Sequence, residues 1–253
     1  MTISAVVLQH NLPELTAVAV ASIRESDTRI DELIIVDNGS TPGNWLETVK
    51  IVDANTRILR LDKNYGYVIG INRGWEAATG DYILLCANSI AVSKSCIGRL
   101  ASVLDQDKQV GWVCGYYQTE RAGLPDFAVS FPADVLAECN DSHGAMRDRL
   151  NAWAATMPEP VEPFASHVNT EATVVMVRKA MSDKIGYFWD ELVYFHSHDY
   201  GKRMSAAGWK MSSARSAVFW HDASHPTIRH ANGGSIVCAG YDTSEKLYHE
   251  RYK

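Results

Sequence analysis

The chain has 253 residues, 46% of them apolar, which is enough to bury a large core and fits one sizeable domain or two small ones, with one expected, and its formal net charge is −6. That balance argues against nucleic-acid binding through overall electrostatics. No apolar stretch approaches the ~20 residues of a membrane span, and the first twenty residues lack the basic start and cleavage pattern of a secretion signal, so a cytoplasmic protein without a transmembrane segment is expected.

Ile3 to Leu8 reads as an apolar strand followed by the polar Gln9-His10-Asn11. Pro13 then opens a helix with Leu15, Val18, Ser22 and Ile23 on one stripe. Leu33 to Val36 is a second buried strand that stops at Asp37-Asn38-Gly39-Ser40, the kind of edge at which open α/β sheets bind ligands, so Asp37 is a ligand candidate. Arg57–Leu61, Asp81–Cys86 and Val110–Cys114 supply three more strands. Before the fourth, Tyr67 to Ala78 places Val68, Ile71, Trp75 and Ala78 at helical spacing, with Gly80 as its C-cap. Strands alternating with helices predict a Rossmann-like α/β fold, a mostly parallel central sheet flanked by helices.

From about residue 118 to 167 the pattern weakens, interrupted by Pro125, Pro132, Pro158, Pro160 and Pro163, with some helix only over Asp134 to Ala155. A strand follows at Thr173–Val177, a helix at Asp199–Ala207, and Gly208-Trp209 turns the chain into Ala217–Trp220. The five cysteines, Cys86, Cys96, Cys114, Cys139 and Cys238, lack CxxC spacing and predict neither a disulfide framework nor a structural zinc site.

Several motifs together resemble family 2 glycosyltransferases of GT-A fold, in particular rhamnosyltransferase-like members. Gln9-His10-Asn11 stands where that family has its T-Y-N type turn, and Val36-Asp37-Asn38-Gly39-Ser40-Thr41 matches V-D-N-G-S-T. Asn64-Tyr65-Gly66-Tyr67 with Ile71-Asn72-Arg73-Gly74 matches N-x-G-[FY]…N-x-G, and Lys184 to Glu191 is similar to I-G-x-F-D-E with one extra residue. The resemblance implies one GT-A domain over residues 1–253, with a nucleotide-sugar-binding half at 1–117 and an acceptor-binding half at 118–253. It implies an inverting enzyme that moves a sugar from a nucleoside-diphosphate donor to an acceptor hydroxyl.

The donor-side residues under that resemblance are Gln9, Asn11, Asp37, Asn38, Gly39, Asn64, Gly66, Asn72 and Asn88. Asp37 can accept from the imide N–H of a uracil or thymine, which favours a UDP- or dTDP-sugar, and Gly39 permits close approach. Asn64 and Asn72 can serve the ribose or diphosphate, and the turn at Gly66 leads into a helix N-terminus that attracts phosphate. The structural alternatives are that Asp37 and Ser40 cap the following helix and that Asn72 holds neighbouring backbone.

Two departures stand out. Where the family has a D-x-D cluster for a divalent cation, this chain has Cys86-Ala87-Asn88-Ser89, without a carboxylate. Mn²⁺ or Mg²⁺ is the implied cofactor, yet only Asn88 and His221 offer themselves as ligands, and hard cations prefer charged oxygen. The family's E-D-x-D-x-x-x-R element aligns with His196-Ser197-His198-Asp199-Tyr200-Gly201-Lys202-Arg203, so the base is Asp199, His198 or His196. Trp189, Asp190 and Glu191 are the acceptor-side candidates; Trp209 and Trp220 are expected in the core. His225 and His230 fit no zinc spacing.

The acceptor is a glycan or another hydroxyl-bearing molecule. A lipid-linked one would be met by peripheral contact at a membrane surface, and a hydroxylated nucleobase belongs to the same chemical class. Two rival readings are a non-catalytic nucleotide-sugar or glycan-binding protein with degenerate metal and base positions, and a nucleotidyltransferase, for which the phosphate loop is missing after the first strand.

Overall fold

The computed structural model describes residues 1–118, 128–129, 148, 150–152, 154–155, 161–163, 173–221 and 241–252. Strands β1 (Ile3–Gln9), β2 (Glu32–Asn38), β3 (Thr56–Leu61) and β4 (Tyr82–Ala87) alternate with helices α1 (Pro13–Arg24), α2 (Pro42–Ile51) and α3 (Tyr67–Ala77). They pair in parallel in the order β3-β2-β1-β4, as the alternating pattern predicts. Beyond β4 come β5 (Ile90–Val92), α4 (Cys96–Gln106), β6 (Val110–Gln118) and the short β7 (Ala128–Val129) and β8 (Val161–Pro163). The chain continues through β9 (Val174–Arg178), α5 (Lys179–Ile185), α6 (His196–Ala206), β10 (Lys210–His221) and α7 (Tyr241–Arg251).

The sheet order is β3-β2-β1-β4-β9-β6-β10-β5, with β9 antiparallel to both β4 and β6 and with β6 and β10 parallel. Because β9 reverses direction twice over, β6 and β10 run the same way as β4. The C-terminal ends of β1, β2, β3, β4 and β10 therefore share one edge, where open sheets of this kind hold ligands.

Alternation sorts the core to two faces. Ala5 and Val7 join the cluster under α1 and α4, while Val6 and Leu8 join the one under α3. The predicted stripe of α3 is fully inside: Val68, Ile71, Trp75 and Ala78 are buried. Trp75 packs against Trp112, Tyr187, Phe188 and Tyr200 with ring centroids 5.3 to 6.3 Å apart. Each such pair contributes about 1 kcal/mol beyond its area, and the cluster fixes the Phe188 loop and α6 onto α3 and β6.

Three expectations are corrected. Gly80 is not the C-cap of α3, a position held by Ala78; a side chain at Gly80 would put its Cβ 2.6 Å from the Ser4 nitrogen, so close strand approach explains the glycine. Helix α6 begins at His196 rather than Asp199, because Phe195 adopts a left-handed conformation (φ 61°) that turns the chain into the helix early. β10 starts at Lys210, well before Ala217. Most of the expected Asp134–Ala155 helix lies outside the described residues, although 148, 150–152 and 154–155 are helical. Trp209 and Trp220 are half-buried against the core as expected; Trp153, Cys139, Cys238, His225 and His230 lie outside the described residues. Cys86 and Cys96 are buried free thiols, and burial pushes the Cys86 thiol up to about 12. Among the described residues no helix is long and apolar enough to cross a membrane.

Candidate active site

Three parallel strand ends place Gln9, Asp37 and Arg60 side by side: Gln9 registers with Asp37, and Asp37 with Arg60. Asp37 is fully buried. Its Oδ1 accepts from Gln9 Nε2, which also reaches Ser40 Oγ at 3.2 Å. Its Oδ2 has no hydrogen-bond donor among the described residues; the Arg60 Nε is 3.6 Å away, and the Arg60 guanidinium lies over the Trp45 ring at 4.4 Å. A buried carboxylate oxygen without a donor is costly unless a ligand N–H meets it. Sequence reading missed Arg60 and Trp45, although strand register alone pairs Arg60 with Asp37.

The turns around this carboxylate are held by the polar residues of the motifs. Asn11, itself left-handed (φ 56°), receives the Thr41 N–H at Oδ1 (2.8 Å), and its own N–H donates to Ser40 Oγ (2.9 Å). Asn38 Nδ2 donates to Asn64 Oδ1 (2.9 Å) and the Gly66 carbonyl (3.0 Å), and Asn64 Oδ1 accepts from Gly66 N–H (2.8 Å). Asn38 and Asn64 thus shape the loop into α3, whose N-cap is Gly66 (φ 83°). Gly39 (φ 71°) is needed for the chain itself, since a Cβ there would sit 2.2 Å from the Lys63 carbonyl carbon. The close approach expected at Gly39 is to that backbone.

Asn72 is occupied within the protein. Its amide donates to the Phe188 carbonyl (2.9 Å) and Asp190 Oδ1 (2.6 Å), and its Oδ1 accepts from Phe188 N–H (3.2 Å). Both its donors are used in this way, so Asn72 ties α3 to the Phe188–Asp190 loop, the backbone-holding alternative read from the sequence. Trp189 is half-buried with the Arg251 guanidinium on its ring at 4.5 Å, while Asp190 and Glu191 are exposed.

Asn88 turns its amide nitrogen inward, to the Leu12 carbonyl (3.2 Å) and Thr16 Oγ1 (3.1 Å). His221 closes β10 opposite Ile90, two residues from Asn88. Among the described residues no three His, Cys, Asp or Glu side chains gather as a metal site. One neutral amide oxygen and one imidazole do not fit a hard divalent cation, so the expected Asn88 and His221 pair is not a metal centre by its own donor set.

The three candidates for a base differ sharply. Asp199 is fully buried and meets Arg203 Nε (2.8 Å), Arg251 Nε (3.1 Å) and the Tyr252 hydroxyl (2.8 Å). Arg203 carries the same tether to the carbonyls of Ile185 and Tyr187, both at 2.7 Å. His198 lies near Phe195 and Tyr248, its pKa lowered by burial and by Lys202. His196 lies against Phe188 (4.9 Å) and Tyr67 (5.7 Å), the first residue of α3, and burial lowers its pKa to about 4. Its Nδ1 is 3.2 Å from the Val193 carbonyl, which can only accept; the ring proton is therefore on Nδ1, and Nε2 keeps its lone pair.

Residues 4–153, more than half of the chain, match the family model described as Glycosyl transferase family 2. The chain belongs to that family. Its fold is that of solved GT-A glycosyltransferases. S. aureus TarS, residues 1–349, superposes with a TM-score of 0.62 at 16% identity, covering 87% of this chain and 60% of that one. The same TarS fragment in complex with UDP-GlcNAc gives 0.63 at 15% identity, covering 87% and 58%. The mannosyltransferase PcManGT from Pyrobaculum calidifontis, in complex with GDP-Man and Mn²⁺, gives 0.64 at 14%, covering 90% and 59%. The chain spans about 60% of the length of those structures, and identities this low speak to the fold alone. No curated protein sequence matches the chain.

Proposed function

We propose that this chain is a glycosyltransferase that moves a sugar from a UDP- or dTDP-sugar to an acceptor hydroxyl with inversion at the anomeric carbon. The observation that carries this reading is the buried Asp37 Oδ2, which lacks a hydrogen-bond donor among the described residues and stands at the shared C-terminal edge of β1, β2 and β3. The ring imide N–H of uracil or thymine satisfies such an oxygen, whereas cytosine presents an acceptor at that ring position and a donor only at its exocyclic amino group. The base then rests beside Gln9, and the diphosphate points toward the N-terminus of α3, whose dipole favours anions.

In the displacement, the acceptor oxygen forms the new bond to the anomeric carbon as the bond to the diphosphate oxygen breaks and the nucleoside diphosphate departs with that electron pair. The acceptor proton passes to a base, for which we choose His196: it is neutral at pH 7, and its free Nε2 sits in the ring cluster between the head of α3 and the Phe188 loop. Asp199, spent on two guanidinium groups and a phenol, is instead the anchor of α6. Trp189, Asp190 and Glu191 hold the acceptor, which we read as a glycan or other hydroxyl-bearing molecule. Residues 1–117 are the donor half and 118–253 the acceptor half of one unit. A divalent cation, bound by PcManGT, would neutralise the departing diphosphate; the described residues here do not build a site for it, and the positive end of α3 is the chain's own counterpart.

The test is incubation with UDP- and dTDP-sugars plus p-nitrophenyl glycosides, following nucleoside diphosphate release and the anomeric configuration of the product by NMR. Release with inverted product supports the reading. Binding of UDP without release under any metal condition would replace it by the binding-module reading, which the missing acidic cluster favours.

A further inference from the structure

We infer that helix α7 completes the acceptor side, with Arg251 and Tyr252 acting as positioning residues for Trp189 and for the first turn of α6. This rests on the transferase reading above. The contacts of α7 and of Tyr252 converge on residues 189–203. Arg251 joins two of them at once, with Nε 3.1 Å from Asp199 Oδ1 and its guanidinium over the Trp189 ring at 4.5 Å. The Tyr252 hydroxyl donates to Asp199 Oδ1 (2.8 Å) and lies 3.2 Å from the Asp199 carbonyl. Lys202 lies over the rings of Tyr248 and Tyr252, at 4.9 and 4.1 Å. The Tyr194 N–H donates to Ser244 Oγ (3.2 Å).

These contacts bear on geometry that α6 cannot hold by itself. Phe195 is left-handed at φ 61°, an unfavourable conformation for an aromatic residue, and its ring is stacked on Tyr248 at 5.3 Å and 22°. The next residue is His196, so the stacking that holds Phe195 also sets where the imidazole begins. Asp199, one turn on, is shared by Arg203 and Arg251, and Arg203 passes its hold to the Ile185 and Tyr187 carbonyls that precede Trp189. A guanidinium with 37% of its side chain in solvent, resting on a half-exposed Trp beside the exposed Asp190, stiffens one face of the indole from behind and leaves the ring plane fixed for a sugar. The inference is therefore that acceptor binding, and not donor binding, depends on α7.

The experiment uses the full chain with Arg251→Gln, Arg251→Lys and Tyr252→Phe. Amide hydrogen exchange is measured over residues 189–203 and 64–77, and initial rates are measured with a UDP-sugar donor and p-nitrophenyl glycoside acceptors. The expected result is exchange accelerated about tenfold over 189–203 and unchanged over 64–77. For Arg251→Gln the acceptor KM rises about tenfold with the donor KM within about twofold, and Arg251→Lys, which keeps the cation, recovers part of the loss. Unchanged exchange over 189–203, or donor and acceptor KM rising together, overturns the inference. A parent chain that binds UDP without turnover defeats the transferase reading instead, and the exchange pattern still decides whether α7 holds this segment.

Discussion

The two sides of the site are built in opposite ways. On the proposed donor side, Gln9, Asp37 and Arg60 stand at neighbouring strand ends, each paired with a residue one crossover away, while Asn88 reaches back 76 residues to Leu12. On the acceptor side, Asn72 reaches across 116 residues to Phe188, and Asp199 across 53 to Tyr252. Asp37 Oδ2 has the Arg60 guanidinium at 3.6 Å but no hydrogen bond among the described residues, whereas both carboxylate oxygens of the buried Asp199 are hydrogen-bonded. We read the first as room for a ligand and the second as a point where the fold is fastened.

The largest expected effect comes from the fastened side. Asp199→Ala leaves Arg203, mostly buried, without its carboxylate, and should destabilise the chain by about 3–5 kcal/mol in urea denaturation. UDP affinity of the folded fraction should be unchanged, since nothing on the donor side touches Asp199. A large loss of UDP affinity at full folding would erase the distinction between the two sides. Asn72→Ala is a milder probe of the same boundary: losing its bonds to Phe188 and Asp190 should cost about 2 kcal/mol of stability and raise the acceptor KM, with the donor KM unmoved. If the donor KM rises instead, Asn72 belongs with the nucleotide after all.

How much of this is legible in the sequence follows the same division. The strand that ends at Asp37 and the helix stripe through Val68, Ile71 and Trp75 depend on local periodicity, and both stand where the pattern puts them. β5, only Ile90–Val92, is too short for a periodic signal, and α7 has the mixed sequence YDTSEKLYHER, whose contacts are rings and charges without an apolar stripe. The contacts of Asp199 with Arg251 and Tyr252 are not legible in the sequence, because these distant partners carry no motif. The same holds for Asn72, whose partners lie in a loop more than a hundred residues on. Gly39 and Gly80 are visible as glycines, but the backbone each must clear, at Lys63 and at Ser4, is set by tertiary approach.

A smaller effect distinguishes the histidines. Burial lowers the His196 pKa to about 4, so an unfolded chain takes up a proton near pH 6.5 that the folded chain refuses. Stability from this residue is present above pH 6.5 and is lost as the pH falls from there toward 4. Urea midpoints at pH 7 and pH 5 should therefore differ less for His196→Phe than for the parent. An equal pH dependence would show that the ring is solvated, and its place between Tyr67 and Phe188 would have to be given up. Turnover by the parent should also persist below pH 6, since the neutral imidazole survives there.

The most direct test of the central claim is calorimetric titration of the parent and of Asp37→Asn with UDP, dTDP, GDP and CDP, each with and without Mn²⁺. The account predicts that UDP or dTDP binds the parent in preference to CDP. It predicts a loss of about 2 kcal/mol, roughly thirtyfold, in Asp37→Asn, with the thermal midpoint little changed. Equal affinity in parent and variant, or no nucleotide binding by a folded parent, would contradict a donor pocket centred on Asp37.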